Sequence, residues 1–166
     1  MADDAASVHF SLMADADDNY TILVLEDDPN DALLLRLALE KNQIHNPVQI
    51  VRDGIEGVAY LTGEGKYADR RLYPFPKVII LDLKMPRMGG LDVLQFLAKN
   101  PELRVIPTLV LSSSSQESDV ARAYAAGANT YLVKPGNFED LQSLIKTVHE
   151  YWTRAIKPMN RIPAGP

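Results

Sequence analysis

The 166 residues include no cysteine. Disulfides, thiolate metal sites and cysteine nucleophiles are therefore excluded. No apolar run approaches the roughly 20 residues that span a bilayer. The opening MADDAASVHF lacks the basic-then-apolar order of a secretory leader. We expect a soluble, cytoplasmic protein without a membrane partner. Lys and Arg are missing from residues 1–19, where Asp3, Asp4, Asp15, Asp17 and Asp18 account for the whole net charge of −5. That stretch is expected to be a flexible acidic tail. The remainder is balanced in charge and has no basic stripe, which argues against a nucleic-acid surface.

What remains is long enough for one domain with a full core. Strand-like and helix-like segments alternate along it five times. TILVLEDD (21–28) reads as a buried strand ending in acids, and Pro29 follows at a first helical position with Asp28 as its N-cap. Ala32, Leu33, Leu35, Leu37 and Leu39 suggest a broad apolar face on that helix. VQIVRDG (48–54) is a short strand closed by a turn and IEGVAYL (55–61) a helix. TGEGKYADRRLYPFP (62–76) breaks every periodicity and is expected to be an exposed loop or insertion. VIILD (78–82), VIPTLVLS (105–112) and NTYLVKP (129–135) are further strands. Helices are expected at 90–100, 116–127 and 137–152. Such an order, with all-apolar strands, implies a doubly wound α/β fold with a five-stranded parallel sheet covered on both faces. In these sheets ligands bind at the carboxyl ends of the strands.

Polar groups interrupt the strands at that one edge. Strand one ends in Glu26, Asp27 and Asp28, strand three in Asp82, strand four in Ser112 at the head of SSSS, and strand five in Lys134 and Pro135. Carboxylates a few Å apart repel by roughly 4 kcal/mol per pair at an effective dielectric near 20. A divalent cation relieves that repulsion, and hard oxygen ligands suit Mg²⁺. Lysine adds a compact positive charge, and serine a donor for a phosphoryl oxygen. The set matches phosphoryl transfer with Asp82 as the nucleophile.

With LVLEDD, LDLKMPRMGG, the strand-four serine and YLVKP in order, the chain resembles the receiver domain of two-component response regulators from about Tyr20 to Trp152. The resemblance implies a flavodoxin-like single domain at 20–153, strand order 2-1-3-4-5, with tails at 1–19 and 154–166. It implies Asp82 as phospho-acceptor, with Mg²⁺ held by Asp27, Asp82 and the Lys84 backbone carbonyl, and Glu26 acting through water. Ser112, aided by the Ser113 amide, and Lys134 would bind the phosphoryl group, and the Tyr131 ring would turn inward in the active state. Lys84 and Ser114 fall on sites that tune phosphoryl lifetime. The donor would be a sensor histidine kinase. The long 62–76 loop and the EYW helix ending are similar to the small regulators that partner bacterial phytochromes.

A homodimer on helix four, strand five and helix five is implied too, although a wide core face explains the apolar last helix equally well. After Trp152 too little chain remains for a DNA-binding domain, so action by protein contact is expected, as an effector or a phosphorelay intermediate. Two rivals stay in view. A haloacid-dehalogenase-type phosphatase needs a second aspartate two residues after the first, where Lys84 stands. A phosphorylation-independent binding module would be expected to lack one of the acid, serine or lysine positions. His9, His45 and His149 share no strand-end location and are not expected to be catalytic.

Overall fold

The computed structural model describes residues 20–154. The expected tail at 1–19, and the C-terminal tail beyond Arg154, lie outside the described residues. Five strands, β1 (Thr21–Leu25), β2 (Val48–Val51), β3 (Pro76–Leu81), β4 (Thr108–Ser112) and β5 (Thr130–Val133), form one parallel sheet in the order β2-β1-β3-β4-β5. The helices between them are α1 (Pro29–Lys41), α2 (Gly54–Thr62), α3 (Gly90–Lys99), α4 (Glu117–Ala125) and α5 (Phe138–Arg154), as the alternation predicts.

Side chains on a strand alternate between faces, so every central strand feeds two cores. Leu23, Leu25, Ile79, Leu81 and Val110 face one layer, with Val93, Leu94 and Leu97 of α3. Ile22, Val24, Ile80, Leu109 and Leu111 face the other, with Leu35, Ala38 and Leu39 of α1 and Leu141 and Ile145 of α5. A sheet covered on both sides buries both faces of its central strands, and in β1 all five residues are buried, four of them apolar beside Thr21.

Four local expectations need correction. β1 ends at Leu25, so the acids lie beyond the strand rather than within it. β4 begins at Thr108 rather than at residue 105, because Leu103 and Ile106 are buried from a turn and Val105 points outward. Leu33 and Leu37 of α1 are exposed, along with Leu34; the buried stripe is Ala32, Leu35, Ala38 and Leu39, at the helical spacing of three and four.

The segment 62–76 is the fourth correction, and a partial one. Its surface is exposed at 64–66, 68, 71 and 72, as expected of an insertion, but packed rings anchor it to the core. Tyr60, Tyr67 and Tyr73 meet ring against ring, with Tyr60 and Tyr67 buried. The Tyr60 hydroxyl donates to the Pro74 carbonyl at 2.7 Å. The Arg70 guanidinium donates to the Tyr60 and Leu61 carbonyls at 2.7 and 2.9 Å, which satisfies the last turn of α2. A 3₁₀ turn spans Gly65–Tyr67, and Glu56 accepts from Lys66 and from the Tyr67 hydroxyl. Aromatic packing replaces periodicity here, so a reading based on periodicity could not detect it.

Candidate functional site

Parallel pairing brings the acids together. The Asp82 amide donates to the Leu25 carbonyl at 3.0 Å, so the residue leaving β3 sits beside the point where β1 gives way to Glu26. The Glu26 amide still pairs with Val51 at 3.0 Å, which fixes its backbone before the chain turns into α1. Asp28 caps that helix, accepting from the Asn30 and Asp31 amides at 2.7 and 3.2 Å. Glu26, Asp27 and Asp82 offer carboxylate oxygens that all lie within 4.8 Å of one another. Glu26 and Asp82 are buried, whereas Asp27 is exposed and opens the cluster to solvent.

Lys134 reaches the cluster from β5, where its amide is pinned to the Ser112 carbonyl at 2.8 Å. Its ammonium donates to Glu26 at 2.7 Å, to Asp31 at 2.9 Å and to Asp82 at 3.0 Å. Burial works against this ammonium. Hydrogen bonds to Glu26 and Asp31 and the charge on Asp82 outweigh it, so the lysine is held above its ordinary range and stays protonated. For Glu26, burial is the stronger influence and raises its carboxyl despite the hydrogen bond from Lys134. One ammonium faces three carboxylates, and Asp27 adds a fourth to the same edge.

The remaining residues singled out in the sequence lie around this core. Ser112 is fully buried at the end of β4, and its hydroxyl accepts from the Ser114 amide at 3.3 Å. Ser113 is exposed. Lys84 is exposed too, and its amide donates to an Asp82 carboxylate oxygen at 3.3 Å. Tyr131 is half-buried against the core, with its hydroxyl donating to the Ser114 carbonyl at 2.8 Å. Ser114 is buried and donates to Asp119 of α4 at 2.5 Å.

Asp31 is the site residue that sequence reasoning missed. An acid in the first turn of a helix is ordinary dipole chemistry, and nothing in the sequence distinguishes it from that role. Its contact with Lys134 joins residues 103 positions apart.

Close carboxylate oxygens with one exposed member are the donor set a hard divalent cation requires, and the buried pair gains most from its charge. The residues present therefore fit such an ion.

The response regulator receiver domain profile matches residues 22–146. Response regulator Rcp1 of Synechocystis is 34% identical over 135 residues, covering 81% of this chain and 90% of Rcp1. A crystal structure of Rcp1 in its Mn²⁺-bound form superposes with a TM-score of 0.73 at 34% identity, covering 82% of this chain and 96% of that one. The phosphorylated cyanobacterial phytochrome response regulator RcpA superposes with a TM-score of 0.77 at 35% identity, covering 84% of this chain and 99% of that one. Sheet order, edge chemistry and sequence agree over the same span, and the chain belongs to the response regulator receiver domain family.

Proposed function

We propose that this receiver unit, residues 20–153, accepts a phosphoryl group on Asp82 from the phosphohistidine of a sensor histidine kinase. An Asp82 carboxylate oxygen attacks phosphorus, the N–P bond breaks, and its electron pair returns to the imidazole. Asp27, Asp82 and the Lys84 carbonyl would hold Mg²⁺, with Glu26 acting through water. When bound, the ion supplies the charge that lets a phosphoryl group approach so many carboxylates. Lys134 neutralises the added charge. Ser112 leaves the Ser114 amide to bond a phosphoryl oxygen, with the Ser113 amide beside it. The observation that carries this reading is the meeting of Glu26, Asp27, Asp82 and Lys134 at one sheet edge.

The likeness to RcpA supports a bacterial phytochrome as the kinase, and we place the chain in the cytoplasm, where such a kinase presents its phosphohistidine. Leu33, Leu34 and Leu37 on α1 offer that partner an apolar footing, beside a cleft lined by Asp31, Leu34, Lys134 and Phe138. The output face is α4, β5 and α5. Tyr124, Val133 and Tyr151, one exposed apolar residue from each, suit a symmetric homodimer. Tyr131, anchored to Ser114 behind this face, links it to Ser112.

Intact-protein mass after incubation with Mg²⁺ and acetyl phosphate tests the chemistry. One added phosphoryl group is expected, absent for Asp82→Asn and without magnesium. If no adduct forms and magnesium-dependent binding of fluoroberyllate is also missing, the chain is a binding module with a receiver's residues.

A further inference from the structure

The loop between Asp82 and α3 carries the Lys84 carbonyl, and it is fastened from outside the site. Arg87 sits in the left-handed region at φ 63°, a conformation unfavourable for a residue with a side chain. Its guanidinium pairs with Asp53, the N-cap of α2, whose side chain is only 3% exposed. Both Asp53 oxygens are used: one takes the Arg87 guanidinium, the other accepts from the Glu56 amide at 2.8 Å. Beside them the Gly54 amide donates to the Met88 carbonyl at 2.9 Å. A Cβ on Gly54 would lie 2.6 Å from that oxygen, so α2 and the loop approach as closely as glycine permits. At its far end the loop closes on itself, with the Gly90 amide donating to the Leu83 carbonyl at 2.9 Å.

A buried carboxylate and a left-handed arginine are both unfavourable alone, and together they hold one short loop to one helix. We propose that Asp53 and Arg87 are positioning residues for the divalent cation. Their ion pair sets the backbone at Lys84, three residues before Arg87, and so tunes metal affinity without touching the metal. This rests on the reading of the site as a magnesium centre.

Simple electrostatics makes a different forecast. Removing a cation near the site would tighten Mg²⁺ binding, and removing an anion would loosen it. Positioning requires both changes to loosen it, and the double change to do no more than either. Asp53→Asn keeps an acceptor for the Glu56 amide and loses the charge. Arg87→Gly loses the guanidinium and suits the positive φ. Arg87→Lys restores the cation. The exposed pair Asp69–Arg71 supplies a remote control, Arg71→Ala.

Mg²⁺ affinity is measured by calorimetry on the folded full chain, beside the magnesium concentration that half-saturates labelling by acetyl phosphate. Asp53→Asn, Arg87→Gly and the double variant are each expected to weaken binding by roughly tenfold. The labelling midpoint should move equally and its plateau should be kept. Arg87→Lys should recover most of the loss, and Arg71→Ala should change nothing. Variants that melt earlier but bind Mg²⁺ like the wild type would overturn the proposal and leave the pair a cap for α2. Tighter binding by Arg87→Gly would overturn it in favour of bare electrostatics. If the wild type binds no Mg²⁺, the magnesium reading itself fails and the positioning role falls with it.

Discussion

Asp82→Asn is expected to stabilise the protein in the absence of divalent cation. The carboxylate of Asp82 lies within 4.8 Å of those of Glu26 and Asp27 and 3.0 Å from the Lys134 ammonium. At an effective dielectric of 20, each repulsion costs about 3.5 kcal/mol or more and the attraction returns about 5.5 kcal/mol. Two repulsions therefore exceed one attraction by a small margin, reduced by the exposure of Asp27. Asp82 is also buried, so losing its charge removes a desolvation penalty. The asparagine has one oxygen where aspartate has two, so it keeps the bond from Lys134 or that from the Lys84 amide but not both, which trims the gain. The balance favours the variant by roughly 1–3 kcal/mol.

Urea unfolding at pH 7.5 in EDTA, and again with 10 mM Mg²⁺, measures it. Magnesium should raise the unfolding midpoint of the wild type by mass action on the native state and raise that of the variant much less, so the gap narrows. A variant less stable than the wild type in EDTA, or equal stabilisation of both proteins by Mg²⁺, would refute the claim that Asp82 sits in an electrostatically strained cation site.

Two further outcomes concern the scaffold. Burial opposes ionisation of Glu56, but hydrogen bonds from Lys66, Tyr67 and the Arg52 amide prevail and lower its pKa to about 2. A depressed carboxyl contributes stability above its unfolded value of 4.5, and that contribution is lost as pH falls from there towards 2. With Lys66 in solvent the contribution is about 1–2 kcal/mol. Glu56→Gln should therefore be less stable at pH 7 and show a flatter profile below pH 4.5; parallel profiles would disprove it. In Gly90→Ala the new Cβ would lie 2.3 Å from the Asp82 carbonyl oxygen and 2.8 Å from the Leu83 Cα, backbone that cannot rotate away. A loss of roughly 2–3 kcal/mol is expected, with Gly136→Ala, whose Cβ would meet nothing within 4 Å, close to neutral in the same urea titration.

The strands were legible because a sheet covered on both faces leaves a strong one-dimensional trace, VIILD above all, whereas their order 2-1-3-4-5 came from the family resemblance and not from that trace. The acids and Lys134 were legible because they interrupt such runs. Features made by side chains meeting across the fold were not. Arg87 and Asp53 lie in separate connections, and their pairing depends on how α2 docks. The tyrosine cluster of 60–73 looks like a periodicity failure because three rings packing edge to face need no repeat. Leu33 and Leu37 are the opposite case, apolar side chains that α1 turns to solvent.

Asp31 shows why the hidden residues matter to the switch. On the proposed function, Lys134 would not keep all three carboxylates once Asp82 took a phosphoryl group and Glu26 turned through water towards a cation. Asp31 stands outside the metal-competent cluster, on α1, and is the half-exposed member of the three. It can retain the ammonium while the other two change partners. The lysine then has a fixed side and a working side, and its charge remains at the sheet edge through the transfer. A site built only from the residues that interrupt strands would leave that ammonium without a carboxylate at the moment its position matters most.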